Sequence, residues 1–152
     1  MSVFLISPYS SSVPSGNNPK NYPHWQPVVD KLDQKGHKIL QIGVVPEKPF
    51  THADVLLNYP LEFIERLVPL VDCWLSVDNF FVHLASRIKP GIVLYGPSDP
   101  RLFGYDTNDN LFVLQEYFRA AQYDIWTNDA YDPKNFVPPE AVLAEIHKRR
   151  LL

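Results

Sequence analysis

The sequence predicts an α/β domain, a Rossmann-like parallel sheet with helices on both faces. Three observations predict it. Short runs rich in Val, Ile and Leu recur at residues 3–7, 38–44, 73–77 and 91–96, and such runs suit strands buried on both faces. Between them lie stretches with apolar residues at helical spacing. Strand and helix therefore alternate, which is the order that yields parallel strands joined by right-handed crossovers.

Val3-Phe-Leu-Ile-Ser7 ends in turn residues and opens the sheet. Residues 8–22 are rich in Ser, Pro, Asn and Gly and read as a long loop, and a loop of that length in a compact domain is often functional. Pro23 marks a helix start, Trp25, Val28, Val29 and Leu32 share one face of that helix, and Gly36 marks its end. Lys38 to Val44 alternates into a second strand. After a turn-rich stretch, Leu61, Ile64, Leu67 and Val68 fall on one face of a helix over residues 60–70. Cys73 to Val77 is the third strand, closed by Asp78 and Asn79. Phe80 to Ile88 reads as a helix, and Gly91 to Gly96 as a fourth strand ending in the turn Pro97-Ser-Asp-Pro100. Beyond it, Leu111–Val113 is a candidate short strand and Gln115–Tyr123 a candidate helix. A terminal helix over Pro139–Arg150 turns Val142, Leu143 and Ile146 inward. The reading is one domain over 1–152 with a helical tail from about residue 115.

The 152 residues are 45% hydrophobic and 20% charged, enough for a chain of this size to bury about two-thirds of its unfolded surface without disulfides or metal. Fourteen Lys and Arg against seventeen Asp and Glu give a net charge of −3. That excludes the broad basic field nucleic-acid binding needs, though not a local anion site. The fifteen prolines are scattered at segment boundaries and form no linker. A lone Cys73 fits a reducing compartment. The N-terminus lacks the basic region of a secretory signal, and no apolar stretch approaches the ~20 residues that span a bilayer. A cytoplasmic protein without a membrane span is expected.

In an open parallel sheet, ligands sit beyond the carboxyl ends of the strands where strand order reverses. The four predicted tips, at Ser7-Pro8, Gly43-Val44, Ser76-Val-Asp78 and Gly96-Pro-Ser-Asp99, should form one rim. A helix start at that rim would favour an anion, so a phosphate site is the default. Each candidate also has a plainer reading. Asp78 suits an N-cap, and His83, on an otherwise apolar helix, suits a core histidine. Ser10, Ser11 and Ser12 suit a flexible loop, and Lys20, the only cation there, suits a solvated surface. No dinucleotide fingerprint or P-loop motif is present. The histidines at 24, 37, 52, 83 and 147 have no metal-ligand spacing, so no metal is expected.

Two linked motifs carry a resemblance. Asp72-Cys-Trp-Leu-Ser-Val-Asp-Asn-Phe-Phe-Val-His-Leu-Ala85 is followed by Lys89-Pro-Gly-Ile-Val-Leu-Tyr-Gly-Pro-Ser-Asp-Pro-Arg-Leu-Phe-Gly104. Together they resemble the donor-binding half of the heptosyltransferase-like glycosyltransferases of family nine, in which a strand, Ser/Thr-Asp and His-Leu-Ala precede a strand into Gly-Pro-Thr/Ser-Asp-Pro. The first loop, with Lys20 and Tyr22-Pro-His-Trp25, and the strand end Ile42-Gly-Val with Glu47 extend the match to roughly residues 3–105.

The resemblance implies a single C-terminal domain of a GT-B enzyme that binds a nucleotide diphosphate-sugar donor without a metal or further cofactor. It implies donor contacts from Ser7, Ser10, Ser11, Lys20, Glu47, Asp78, Asn79, His83 and Ser98. Lys20 and the serines would meet the diphosphate, and Glu47 the ribose. His83 would meet a phosphate oxygen or hold the loop, and Asp78 would orient N–H and hydroxyl donors. The acceptor site and the carboxylate base of such an enzyme belong to its other half, so no catalytic residue is assigned. The expected activity is sugar transfer with the acceptor site supplied by a partner protein, a second copy, or the acceptor itself. The alternatives are a non-catalytic module that senses or sequesters a nucleotide, and a structural subunit.

Overall fold

The computed structural model describes residues 1–13, 17–126 and 129–152, so residues 14–16 of the expected 8–22 loop lie outside the described residues. Six strands form one parallel sheet: β1 Val3–Ser7, β2 Lys38–Gly43, β3 Asp54–Leu57, β4 Cys73–Val77, β5 Ile92–Leu94 and β6 Asp109–Leu111. Their order is β3-β2-β1-β4-β5-β6, and all five neighbouring pairs run parallel. The chain therefore winds outward from β1 to β3, then returns to lay β4 against the other side of β1. The gap between the tips of β1 and β4 is the switch point of the sheet.

Among the described residues five α-helices accompany the strands: α1 Trp25–Gln34, α2 Leu61–Leu67, α3 Phe80–Ala85, α4 Pro100–Phe103 and α5 Pro139–Lys148. The three central strands alternate their side chains between two cores, which is why they read as unbroken apolar runs. Phe4, Ile6, Cys73, Leu75, Ile92 and Leu94 join Trp25, Val28, Val29 and Leu32 of α1 and Val142 and Ile146 of α5. Leu5, Trp74 and Val93 point the other way, to Ile64 of α2 and Phe81, Val82 and Ala85 of α3. Helices thus cover both faces. Gly36, at φ +79°, supplies the left-handed residue that turns the chain after α1.

Several expectations are corrected. β3 was expected as part of a turn-rich stretch. It is a four-residue edge strand with no fully buried residue, so it carries little hydrophobic pattern, and Lys38 ties it to β2 through Asp54 at 3.2 Å. The last strand lies two residues earlier than Leu111–Val113, and α3 stops at Ala85, short of Ile88. The turn at residues 97–100 runs straight into α4, with Asp99 as N-cap and Pro100 in the first turn. The expected helix over residues 115–123 reduces to one 3-10 turn, Gln115–Tyr117. Its continuation is diverted because the Arg119 N–H donates to Pro97 O at 2.9 Å, where a helix would send it to Gln115. The tail is therefore largely irregular until α5.

Candidate functional site at the switch point

A cavity of about 320 Å³ opens at the switch point. Ser7 at the tip of β1, Ile42 and Gly43 at the tip of β2, and Asn79 and Phe80 at the start of α3 contribute to its wall. Tyr9, Ser10, Ser11 and Ser12 come from the first loop, Glu47 from the loop after β2, and Tyr59, Leu61 and Ile64 from α2 and its approach. Aromatic side chains of Tyr9, Tyr59 and Phe80 and polar side chains of Ser7, Ser10, Ser11 and Asn79 both line it.

The first loop is built on asparagines. Asn21 Oδ1 accepts from Ser10 N–H at 2.8 Å, and Asn18 Nδ2 donates to Ser11 O at 2.9 Å. Asn18 Oδ1 in turn accepts from the Lys20 N–H at 2.9 Å. Both asparagines are buried, and their amides replace the backbone pairing that the irregular loop lacks. The flexible-loop reading of Ser10 and Ser11 is therefore corrected: their backbone is hydrogen-bonded to the two asparagines, and Ser11 and Ser12, though exposed, line the cavity. Gln41 holds the loop after β2 through Phe50 N–H and Lys48 O, at 2.9 and 3.0 Å. That loop carries Glu47, whose carboxylate accepts from Val44 N–H at 2.9 Å. A Cβ at residue 43 would collide with the Glu47 carboxylate, so Gly43 lets the acid lie against the strand tip. Burial raises the Glu47 carboxyl above its ordinary value, against the opposing pull of the Val44 N–H.

Asn79, not Asp78, is the N-cap of α3: its Oδ1 accepts from Phe81 N–H at 3.0 Å. Its Nδ2 donates to Ser7 Oγ at 2.9 Å and Tyr9 O at 3.0 Å, and Ser76 Oγ donates to its Oδ1 at 3.0 Å. With six residues and one first-turn N–H already engaged by this cap, α3 offers less to an anion than a long helix would. Asp78 instead turns toward Lys20, and Oδ2 meets Nζ at 2.9 Å with the side chains 5% and 15% exposed. This corrects two expectations, since Asp78 orients a cation and Lys20 is not solvated. Neither is among the residues lining the cavity; Asp78 immediately precedes Asn79, which does line it.

The remaining candidates lie apart. His83 is exposed, which overturns the core reading, and its Nδ1 lies 2.9 Å from the Tyr105 hydroxyl. It tethers the chain beyond α4 and does not line the cavity. Ser98 is fully buried and is not among the residues lining the cavity; the next residue, Asp99, caps α4 and grips Arg101 through Nε and Nη2 at 3.0 and 2.6 Å. The structure thus gathers Ser7, Ser10, Ser11, Glu47 and Asn79 around one cavity, sets Lys20 and Asp78 beside it, and leaves His83 and Ser98 outside. Sequence reasoning missed the asparagine scaffold, although Asn17-Asn-Pro-Lys-Asn21 carries the composition of Asx turns. It also missed the aromatic lining of Tyr9, Tyr59 and Phe80. Among the described residues no group of three or more His, Cys, Asp or Glu is placed to hold a metal ion, and no helix is long and apolar enough to cross a membrane.

No family model matches the chain. It is 31% identical over 97 residues to lipopolysaccharide heptosyltransferase 1 of Escherichia coli K12, covering 56% of this chain and 30% of that protein. Its fold is similar to that of the E. coli ADP-heptose heptosyltransferase II, with a TM-score of 0.71 at 17% identity, over 99% of this chain and 46% of that one. A family 9 glycosyltransferase from Veillonella parvula gives a TM-score of 0.68 at 16% identity, over 99% and 47%. The dodecameric, iron-containing heptosyltransferase TibC, in complex with ADP-D-beta-D-heptose, gives 0.59 at 16% identity, over 91% and 35%. The chain is thus similar in sequence to lipopolysaccharide heptosyltransferase 1 and shares its fold with heptosyltransferases and a family 9 glycosyltransferase, and it spans less than half the length of those it matches.

Proposed function

We propose that the chain binds a nucleoside-diphosphate sugar of the ADP-heptose class at the switch-point cavity, as the donor-binding part of a metal-independent GT-B glycosyltransferase. The observation that carries this reading is the cavity itself, lined by the aromatic rings of Tyr9, Tyr59 and Phe80 together with Ser7, Ser10, Ser11 and Asn79. Its volume falls in the range of small-ligand sites, roughly 300–1,000 Å³. The aromatic rings suit a base, the Glu47 carboxylate suits ribose hydroxyls, and the serines with Lys20 suit a diphosphate.

The chemistry follows from where charge moves. As the bond from the sugar's anomeric carbon to the diphosphate breaks, negative charge grows on the departing phosphate oxygen. A fixed ammonium and hydroxyl donors placed there stabilise that charge more than they stabilise the intact donor. Asp78 keeps the ammonium in place, and His83 steadies the rim through Tyr105. Deprotonation of the acceptor hydroxyl is left to a group outside the described residues, on a partner protein, a second copy, or the acceptor itself. The donor chemistry and the free, buried Cys73 agree with a cytoplasmic setting.

Calorimetric titration with ADP-, UDP-, GDP- and CMP-linked sugars tests the reading. An ADP-linked sugar should bind, and Lys20→Ala should weaken it by about 1–3 kcal/mol, the range for a charge-assisted contact. Absence of binding by folded protein at millimolar donor would defeat it. The second reading is a binding module without transfer. Donor that stays intact in the presence of candidate acceptors would select that module; release of nucleoside diphosphate would select the enzyme.

A further inference from the structure

The expected site residues leave one cluster unexplained. Lys20 Nζ lies 4.5 Å from the centroid of the Trp126 ring and 5.7 Å from that of Phe103. Arg119 Cζ lies 4.0 Å from the same Trp126 ring. The Arg119 side chain is only 9% exposed, and its Nη1 is 3.4 Å from Asp129 Oδ2. One indole therefore carries two cations, each with its own carboxylate.

The segment that bears them is pinned to the sheet. Arg119 N–H donates to Pro97 O, and Gln122 Nε2 donates to Pro97 O and Arg119 O, at 2.9, 2.9 and 2.7 Å. Gln122 Oε1 accepts from Asp99 N–H at 3.0 Å, and Gln122 is itself buried. These bonds are what divert the tail from a helix, and they hold it across the tip of β5.

We propose that Trp126 and Arg119 are positioning residues for the Lys20 ammonium, so that the tail segment over residues 119–126 forms part of the phosphate end of the site. The proposal rests on the nucleotide reading above. A lysine on a long stem, carried by an irregular loop, loses much rotamer freedom when it grips a ligand unless the protein has already fixed it. Asp78 alone would fix Lys20 but also neutralise it. The indole face attracts the ammonium from a second direction without removing its charge. Arg119 stacks its guanidinium on the same ring and so holds the indole in place beside Lys20.

The test compares ADP with adenosine, which lacks the phosphates, on full-length wild type and the variants Trp126→Leu, Trp126→Phe and Arg119→Gln, alongside their melting temperatures. Trp126→Leu should weaken ADP about five- to tenfold, the span of a partly desolvated cation–π contact, with adenosine affinity unchanged. Trp126→Phe should recover most of the loss, and Arg119→Gln should weaken ADP selectively even if the leucine variant folds poorly. Wild-type ADP affinity in both Trp126→Leu and Arg119→Gln, or an equal loss of ADP and adenosine, would overturn the positioning role while leaving the nucleotide reading intact. Wild type that binds neither compound would overturn both.

Discussion

Asn79 Nδ2 donates to Ser7 Oγ at 2.9 Å, joining the tip of β1 to the start of α3 across the switch point. The same amide caps α3 and holds Tyr9 O. Asn79→Ala should therefore cost about 2–3 kcal/mol, combining a lost cap with hydrogen-bonding groups left unpaired. Asn79→Asp keeps the cap acceptor and loses the donors, so it should fall between. Urea unfolding measures both, and an alanine variant as stable as wild type would show that the two tips are held together by packing alone.

Lys20 and Asp78 form a pair whose two halves are not equally replaceable. Asp78 is 5% exposed, whereas Lys20 is 15% exposed and rests against the Trp126 ring. Removing the lysine strands a buried carboxylate. Removing the carboxylate leaves an ammonium with an indole face and a route to water. Lys20→Met should thus cost roughly 3 kcal/mol and Asp78→Asn roughly 1 kcal/mol, with the double variant costing less than the two together. Additive losses in a double-mutant cycle would mean that the pair is not coupled.

The parts of the fold legible in the sequence are those where burial writes a pattern. β1, β4 and β5 sit between two cores and read as apolar runs; α1 and α5 bury one stripe each, at Trp25, Val28, Val29 and Leu32 and at Val142 and Ile146. β3 was invisible because it is a short, half-exposed edge whose place is set by pairing with β2. Residues 118–123 misled because Arg, Ala and Gln favour a helix locally, while the bonds from Arg119 and Gln122 to Pro97 are tertiary. In the site, residues at strand tips were findable from topology. Partnerships were not: that Asp78 faces Lys20, that His83 faces Tyr105, and that Trp126 joins them depends on side-chain directions that no spacing rule contains.

Gly91 offers a test of the core away from the rim. A Cβ there would collide with the indole of Trp74, which is fully buried and fixed by its Nε1 bond to Lys89 O at 2.9 Å. With no room for the ring to move, Gly91→Ala should destabilise by about 2–3 kcal/mol through overpacking. Because Gly91 precedes β5, at the end of the sheet opposite the cavity, ligand affinity at saturating folded protein should be unchanged. Thermal unfolding and titration together separate the two effects, and an unaltered melting temperature would mean that Trp74 has a second rotamer available.

Glu47 and Asp99 should tilt the pH dependence of stability in opposite directions. The Arg101 guanidinium holds the Asp99 carboxyl below its ordinary value, against the opposing effect of burial. A folded pKa below the unfolded one gives stability that is present above the usual aspartate value of about 3.9 and is lost as pH falls through the lowered one. Burial raises the Glu47 carboxyl instead. Its contribution is present below the usual glutamate value of about 4.3 and is lost as pH rises through the raised one. Asparagine caps a helix as well as aspartate does, so Asp99→Asn removes the charge and keeps the cap. The stability gap between wild type and Asp99→Asn should narrow on acidification below the aspartate range. Glu47→Gln should gain on wild type as pH rises from about 4 toward neutrality, because the amide has no ionisation for burial to oppose. Melting temperatures across that range decide it, and parallel curves for wild type and Glu47→Gln would assign Glu47 a carboxylate as well solvated in the folded chain as in the unfolded one.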